Sequence, residues 1–417
     1  MPSAILADRT RLRFGPSLPS DIFSTIRRRM ILDYCKWDPQ VGDESVLLEQ
    51  PLILGVDDWT YLATSAEKMA EEINSAEAEL LAQPRLMAQL AMPASLLRVL
   101  RPGDSSNALP TVRTLRFDFH PTLEGWQTSE VNSDVPGGFA EASYFTAMMA
   151  VHYPGTRPAG DPLQAWTTAM TKSPASTSEV AILYAPGYME DQQIATLLGS
   201  ALTHEGCAVH FAQSPGELRW RDGRACFYGM RSAAPLGAIV RFYQAEWLAK
   251  LPRRAGWHHL FSKSRTMVAN PGYAVLSESK RWPLIWKHLS SPTDTLQSMF
   301  PECREPNAVD SDEENWVFKA AYSNTGDDVI MPSSIDAATW KKQRKLILRR
   351  PDRWVAQRRF TTTRISADSA EFSPCIGVYT INGRAEGAYV RLARGSIVDY
   401  RACEAALLID ERKETHP

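Results

Sequence analysis

Two runs of alternating residues carry the side chains best suited to chemistry. In Leu115 to His120 the apolar Leu115, Phe117 and Phe119 fall on one face and Arg116, Asp118 and His120 on the other, the pattern of a half-buried strand. A second run, Trp126 to Asn132, places Thr128, Glu130 and Asn132 on a common face before Pro136-Gly137-Gly138 ends it. The intervening Pro121-Thr122-Leu123-Glu124-Gly125 reads as a turn, so the two runs predict a hairpin. Closed symmetrically about Glu124, it sets Asp118 opposite Glu130 and Arg116 opposite Asn132. Directly opposed residues have Cβ atoms about 4.5–5.5 Å apart, and two carboxylates held there repel unless a cation lies between them. Two carboxylates with an amide oxygen beside them suit Mg2+, which leaves its other positions to water and phosphate. The alternative is a solvated hairpin face that carries these charges by chance.

The elements around this hairpin alternate helix and strand. From Leu62 to Leu100 the spacing is helical and broken at Pro84 and Pro93, which predicts a helical N-terminal lead over 1–110. The hairpin opens a segment, 111–178, that closes on the Ser/Thr/Pro-rich stretch Thr171 to Ser178, read as a linker. Over 179–255, Val180 to Tyr184 predicts a buried strand, Met189 to Glu205 a helix closed by Gly206, and Ala208 to Phe211 another strand, so this is a smaller α/β insertion. In 256–417, strands at Trp316 to Lys319 and Arg353 to Gln357 flank a helix over 337–348. A final hairpin, Ile376 to Ile381 and Glu386 to Leu392, turns at Asn382-Gly383, the strongest short-range hairpin signal in the chain.

Composition narrows the function classes. The chain has 417 residues, 44% hydrophobic and 23% charged, enough for a large core. Its 46 Lys and Arg against 48 Asp and Glu leave −2, no excess that would hold the whole chain on nucleic acid or an anionic membrane. No apolar run approaches a membrane span, and charge at Asp8 and Arg9 interrupts any secretory segment, so a cytoplasmic protein is expected. The six cysteines lack the spacing of zinc or redox pairs and read as reduced thiols. The adjacent His258-His259, on a strand, would point to opposite faces, and no HExxH accompanies them. GxGxxG, GxxxxGK[ST] and the kinase HRD and DFG elements are all missing, as is any convincing Ser/His/Asp or Cys/His nucleophile.

Arg116-Phe117-Asp118 followed by Glu130-Val131-Asn132 resembles the magnesium-binding signature of glutathionylspermidine synthase-like ATP-grasp ligases. Ser279-Lys280 ahead of a Trp/Leu-rich helix resembles the family's first ATP lysine. Lys319 followed by Tyr322 to Gly326 resembles its second lysine and phosphate-covering loop, although that loop has one glycine, Gly326, where relatives have several. Trp354 to Gln357 resembles the strand ending in a glutamine near adenine, and Gly377 to Arg391 the closing hairpin whose arginine meets the phosphates or acyl phosphate. The resemblance spans roughly residues 111 to 410, with carboxylates ahead of the lysines. It implies an α/β protein, an α+β ATP-grasp core in permuted order around a preATP-grasp-like insertion.

The resemblance further implies Mg2+ on Asp118, Glu130 and Asn132, ATP against Lys280, Lys319, Gly326 and Gln357, and Arg116 and Arg391 as catalytic cations. The expected function is then ATP-dependent joining of a small-molecule carboxylate to an amine through an acyl phosphate, with neither nucleic acid nor membrane as partner. A phosphotransferase and a catalytically silent nucleotide-binding scaffold remain alternatives. Taken singly, Lys280 could be a solvated lysine, Gln357 an exposed strand residue, and Arg391 the structural partner of Asp399. A polyamine acceptor would want an acidic funnel, for which Glu141, Asp161 and Glu190 are available, though scattered acids ordinarily serve solubility.

Overall fold

The structure is a computed structural model. It describes residues 12–412 apart from 43, 101–110, 174–178, 229–232, 263, 310–311, 324–327 and 368–369, so part of the expected linker and the part of the expected loop from 324 on, Gly326 included, lie outside the described residues.

The layer that positions the site is an antiparallel sheet ordered Cys403–Ala405, Arg384–Ala393, Ala370–Ile381, Thr114–Thr122 and Gly125–Asn132. Alternation sorts its two faces as the sequence predicts. Leu115, Phe117 and Phe119 join Ile376, Val378, Val390 and Leu392 in one buried cluster. The long helix Val56–Leu81 closes that face with a stripe of Leu62, Ala66, Met69, Ile73, Ala76 and Leu80 at helical spacing. Each large side chain so buried contributes about 1.5–3 kcal/mol, which fixes the register and leaves the charged face to chemistry. At the turn of the closing hairpin, Asn382 and Gly383 have φ of +50° and +81°, the left-handed pair that Asn-Gly tolerates best.

A second sheet, ordered Met267–Ala269, Ala238–Phe242, Glu179–Tyr184 and Ala208–Ala212, is parallel at every pairing, with helix Met189–His204 as a crossover. Its edge strand Met267–Ala269 comes from beyond residue 255. A third, antiparallel sheet is ordered Cys303–Arg304, Trp354–Arg358, Trp316–Ala320 and Val329–Ile330. The helix Ala337–Arg349 seals it through Ile347 and Trp340. The chain is thus an α/β protein of several sheets, and no helix among the described residues is long and apolar enough to cross a membrane.

Three local readings change. The N-terminal segment is not helical throughout: Leu12–Phe14 pairs with Leu52–Gly55, which lies parallel to Leu407–Asp410 near the other end of the chain. The Trp/Leu-rich stretch after Lys280 forms two short 3-10 turns, Trp282–Leu284 and Trp286–His288, because Pro283 removes a donor that an α-helix would need. His258 and His259 lie on a 3-10 turn, not a strand, and their rings are 4.2 Å apart.

The stretch after Lys280 is held by the long helix. Glu79 accepts from the N–H groups of Ser290 and Ser291, the Ser291 hydroxyl and the Gln83 amide, while Glu72 accepts from the N–H groups of Thr295 and Leu296. Replacing Glu79 by Ala is expected to lower stability by about 1–3 kcal/mol, read as a lower urea midpoint at constant slope.

Candidate functional site

The first hairpin reaches its predicted register by an unpredicted route. Thr122 pairs with Gly125, Pro121 with Trp126 and Phe119 with Thr128, so the loop is Leu123-Glu124 and closure is not symmetric about Glu124. One extra residue, Ser129, then bulges from the second strand, and beyond it Asp118 faces Glu130 and Arg116 faces Asn132 as expected. The bulge also corrects the expected face of Thr128. It lies opposite Phe119, fully buried, away from Glu130 and Asn132.

A bulged residue has backbone groups free of the ladder. The Ser129 carbonyl accepts from Lys319 Nζ and from Gln357 Nε2, both at 3.1 Å, which reach it from adjacent strands of the third sheet. The Ser129 hydroxyl meets His120 Nε2 at 3.0 Å, and His120 Nδ1 lies 3.1 Å from the Pro374 carbonyl. Burial pushes His120 down to about 4, so at neutral pH the ring is uncharged, donates from Nδ1 and accepts at Nε2.

Asp118 is the hub, with no exposed surface. Its Oδ1 accepts from Arg116 Nε at 2.9 Å, and its Oδ2 from Arg116 Nη2 at 3.2 Å, Asn132 Nδ2 at 3.0 Å and Arg391 Nη2 at 2.5 Å. Burial alone would raise its pKa, but Arg116 and Arg391 outweigh it and hold the carboxyl well below the usual carboxylate range. The adjacent strand leaves space by carrying no side chain: a Cβ on Gly377, which faces Asp118, would lie 2.8 Å from Arg116 Cδ and 2.9 Å from Asp118 Oδ1. Arg391 pairs with Asp118, while Asp399 is taken by Arg401 at 2.6 Å.

Lys280 is not a solvated lysine. Its Nζ donates to the Ser323 carbonyl at 2.7 Å and lies 3.5 Å from Glu130 Oε2. Gln357 is buried too. Burial, reinforced by Lys280, lowers the Lys319 pKa, and Glu130 opposes it. Arg116, Asp118, Glu130, Asn132, Lys280, Lys319, Gln357 and Arg391 therefore converge.

The donor set fits a hard divalent ion in type. Among the described residues Glu130 has only the long contact to Lys280 and Asn132 keeps its carbonyl oxygen free, while Asp118 is already largely neutralised. No cluster of three or more His, Cys, Asp or Glu able to hold a metal occurs among the described residues, so the chain offers two carboxylates and an amide.

Two cavities meet here. One of about 110 Å³ is lined by Val317, Lys319, Met331, Gln357, Phe360 and Ile397. The other, about 300 Å³, is lined by Arg116, Glu190, Asp191 and Gln244 among others. Glu130, Lys280, Ser323 and Arg391 line both. Sequence reasoning missed Ser129, Tyr389, Asp191, Gln244 and Glu278. The acid pair Glu190-Asp191 in the first turn of a predicted helix was a signal, although helix starts favour acids for their own reasons. Of the scattered acids, Glu141 and Glu190 reach the larger cavity, while Asp161 caps helix Pro162–Lys172 through the Gln164 N–H. Glu141 is engaged by the buried Lys36, 2.8 Å away.

Replacing Asp118 by Ala strands two buried guanidinium groups and is expected to cost about 3–5 kcal/mol, whereas Glu130→Ala, at a half-buried position relieved of a like charge, should cost less than about 1 kcal/mol. Denaturant melts of the two variants check this. Equal losses would show that Asp118 is not the anchor.

No curated protein matches the sequence. Among solved structures, a glutathione synthetase-like effector from Globodera pallida in apo form has TM-score 0.60 and 11% identity, covering 94% of this chain and 97% of that one. A gamma-glutamylcysteine synthetase-like protein from Methylobacillus flagellatus has TM-score 0.42 and 11% identity, covering 78% and 86%. The first likeness is one of fold. The family model described as glutathionylspermidine synthase preATP-grasp matches residues 37–409, which include every one of the converging residues. With that match over most of its length, the chain belongs to the glutathionylspermidine synthase preATP-grasp family.

Proposed function

We propose that the protein is an ATP-dependent ligase that joins a carboxylate to an amine through an acyl phosphate, releasing ADP and phosphate. The observation that carries this reading is the meeting of two cavities at Glu130, Lys280, Ser323 and Arg391, the arrangement a phosphoryl group needs to pass between two bound substrates. In the smaller cavity Val317, Met331, Phe360 and Ile397 offer apolar walls for a purine, Gln357 a polar edge, and Lys319 and Lys280 charge for phosphates. Glu130, Asn132 and Asp118 would hold Mg2+, which when bound supplies neutralisation of the transferring group.

The carboxylate belongs at Arg116 and Arg391. Both guanidinium groups are fixed by Asp118 and by the Tyr389 ring, whose centroid lies 5.4 and 5.8 Å from them, yet each keeps N–H groups to spare. Fixed cations there steady the charge that builds as the carboxylate oxygen attacks the γ-phosphate and the bond to ADP breaks. The amine belongs at Asp191 and Gln244, which line the same cavity. Asp191 is buried and, among the described residues, has only a 3.4 Å hydrogen bond from Gln244 Nε2 and no cation paired with it. Gln244 Oε1 is buried without a partner among the described residues. Burial pushes Asp191 up to about 7, with Glu190 adding to the push. Acceptors without a donor favour an ammonium, so the amine substrate carries a second ammonium distal to the one that reacts.

ADP release measured over a matrix of amino acids and small peptides against monoamines and diamines is expected to require both substrates. Turnover with either alone, or phosphate left on the acid, would refute the ligase reading. Because Asp191 is protonated below about 7, KM for a diamine should fall as pH rises through neutrality. Asp191→Asn should raise it about tenfold or more without affecting monoamines.

A further inference from the structure

A carboxyl that neither role uses lines the cavity shared by the junction and the ammonium site. Ser279 turns its hydroxyl to the Leu90 carbonyl, 2.7 Å away, and its neighbours Glu278 and Lys280 both line the larger cavity. Glu278 Oε2 accepts from the N–H groups of Ser133 at 2.7 Å and Asp134 at 2.9 Å, which fixes the side chain against the segment that follows Asn132. Its other oxygen, Oε1, accepts from no residue among those described. The group is thus anchored at one oxygen and open at the other, beside the lysine that marks the junction.

We propose that Glu278 is the proton acceptor for the attacking amine, an assignment that rests on the ligase reading above. The bound ammonium gives one proton to Glu278 Oε1. The freed nitrogen lone pair attacks the acyl phosphate carbon, the C–N bond forms and the C–O bond to phosphate breaks. The departing phosphate takes the second nitrogen proton, and Glu278 returns its own to water. Burial first, and Asp134 next, push the Glu278 carboxyl up to about 7 against the pull of Lys280 and the two N–H groups, and Glu246 and Tyr322 also face it. A group so poised takes a proton near neutral pH and gives it back.

Two amines of similar size separate proton removal from all else. Hydroxylamine is uncharged at neutral pH and needs no base to become a nucleophile, whereas methylamine is protonated. The full-length protein and its Glu278→Gln variant, in which the amide oxygen can still accept the two N–H groups, are supplied with ATP, Mg2+, a panel of amino acids and glycine-ending dipeptides, and either amine. Glu278→Gln is expected to lose about 100-fold in methylamide formation but no more than roughly fivefold in hydroxamate, with an unchanged melting temperature. Equal loss with both amines, no loss with either, or hydroxamate without methylamide from the unaltered protein would each overturn the assignment. No hydroxamate from the unaltered protein with any acid would instead sink the ligase reading itself.

Discussion

A carboxylate out of reach of water has to be matched by cations, and Asp118 is matched by two. Arg116 stands two residues away on its own strand, and Arg391 arrives from 273 residues further along the chain. The surroundings follow from making room for that triangle. Gly377 is bare because a side chain would collide with it, and Gly138, with φ of +93°, is bare because a Cβ would sit 2.6 Å from the Tyr389 ring that steadies both guanidinium groups. The Tyr389 hydroxyl donates to Glu404, and Glu404 and Glu141 hold the buried Lys36. Charge thus alternates in sign from the hub to the N-terminal segment, and each link is satisfied by the next.

What the sequence made legible was what obeys a period. Leu115, Phe117 and Phe119 announced a face, Asn382-Gly383 announced a turn, and the α/β unit followed from strand, helix and Gly206. The facing pairs at 116/132 and 118/130 were reachable by counting, yet the count succeeded through a loop and a bulge that counting did not contain. Thr128 shows the difference, since it obeys the alternation on its own side of the bulge and not beyond it. The helix expected after Lys280 failed because Pro283 outweighs the apolar spacing. Lys36, Tyr389 and Glu278 gave no local signal, and Asp191 gave only the ambiguous one of an acid at a helix start. Their partners lie far along the chain, and only burial turns an ordinary acid, lysine or tyrosine into a constrained one.

The near-neutral total of −2 is a sum over opposed regions. Cations crowd the junction of the two cavities, while Glu190 and Asp191 line the larger one away from that junction and Glu278 lines it beside Lys280. Such a gradient inside a low-dielectric enclosure orients anything that carries an anion at one end and a cation at the other, before any specific hydrogen bond forms. Orientation is therefore a property of where charges sit along the cavity, independent of how many the chain carries in all.

The bulge at Ser129 has a consequence for how this site tolerates change. Its contribution to Lys319 and Gln357 is a main-chain oxygen, which every amino acid possesses. Substitution at 129 alters the bond to His120 but cannot remove the acceptor that the two side chains share, whereas losing the residue would erase it while keeping Asp118 opposite Glu130. The position is thus constrained in chain length more than in chemical identity. Two related chains could differ there in every side-chain property and still present the same group to the same lysine.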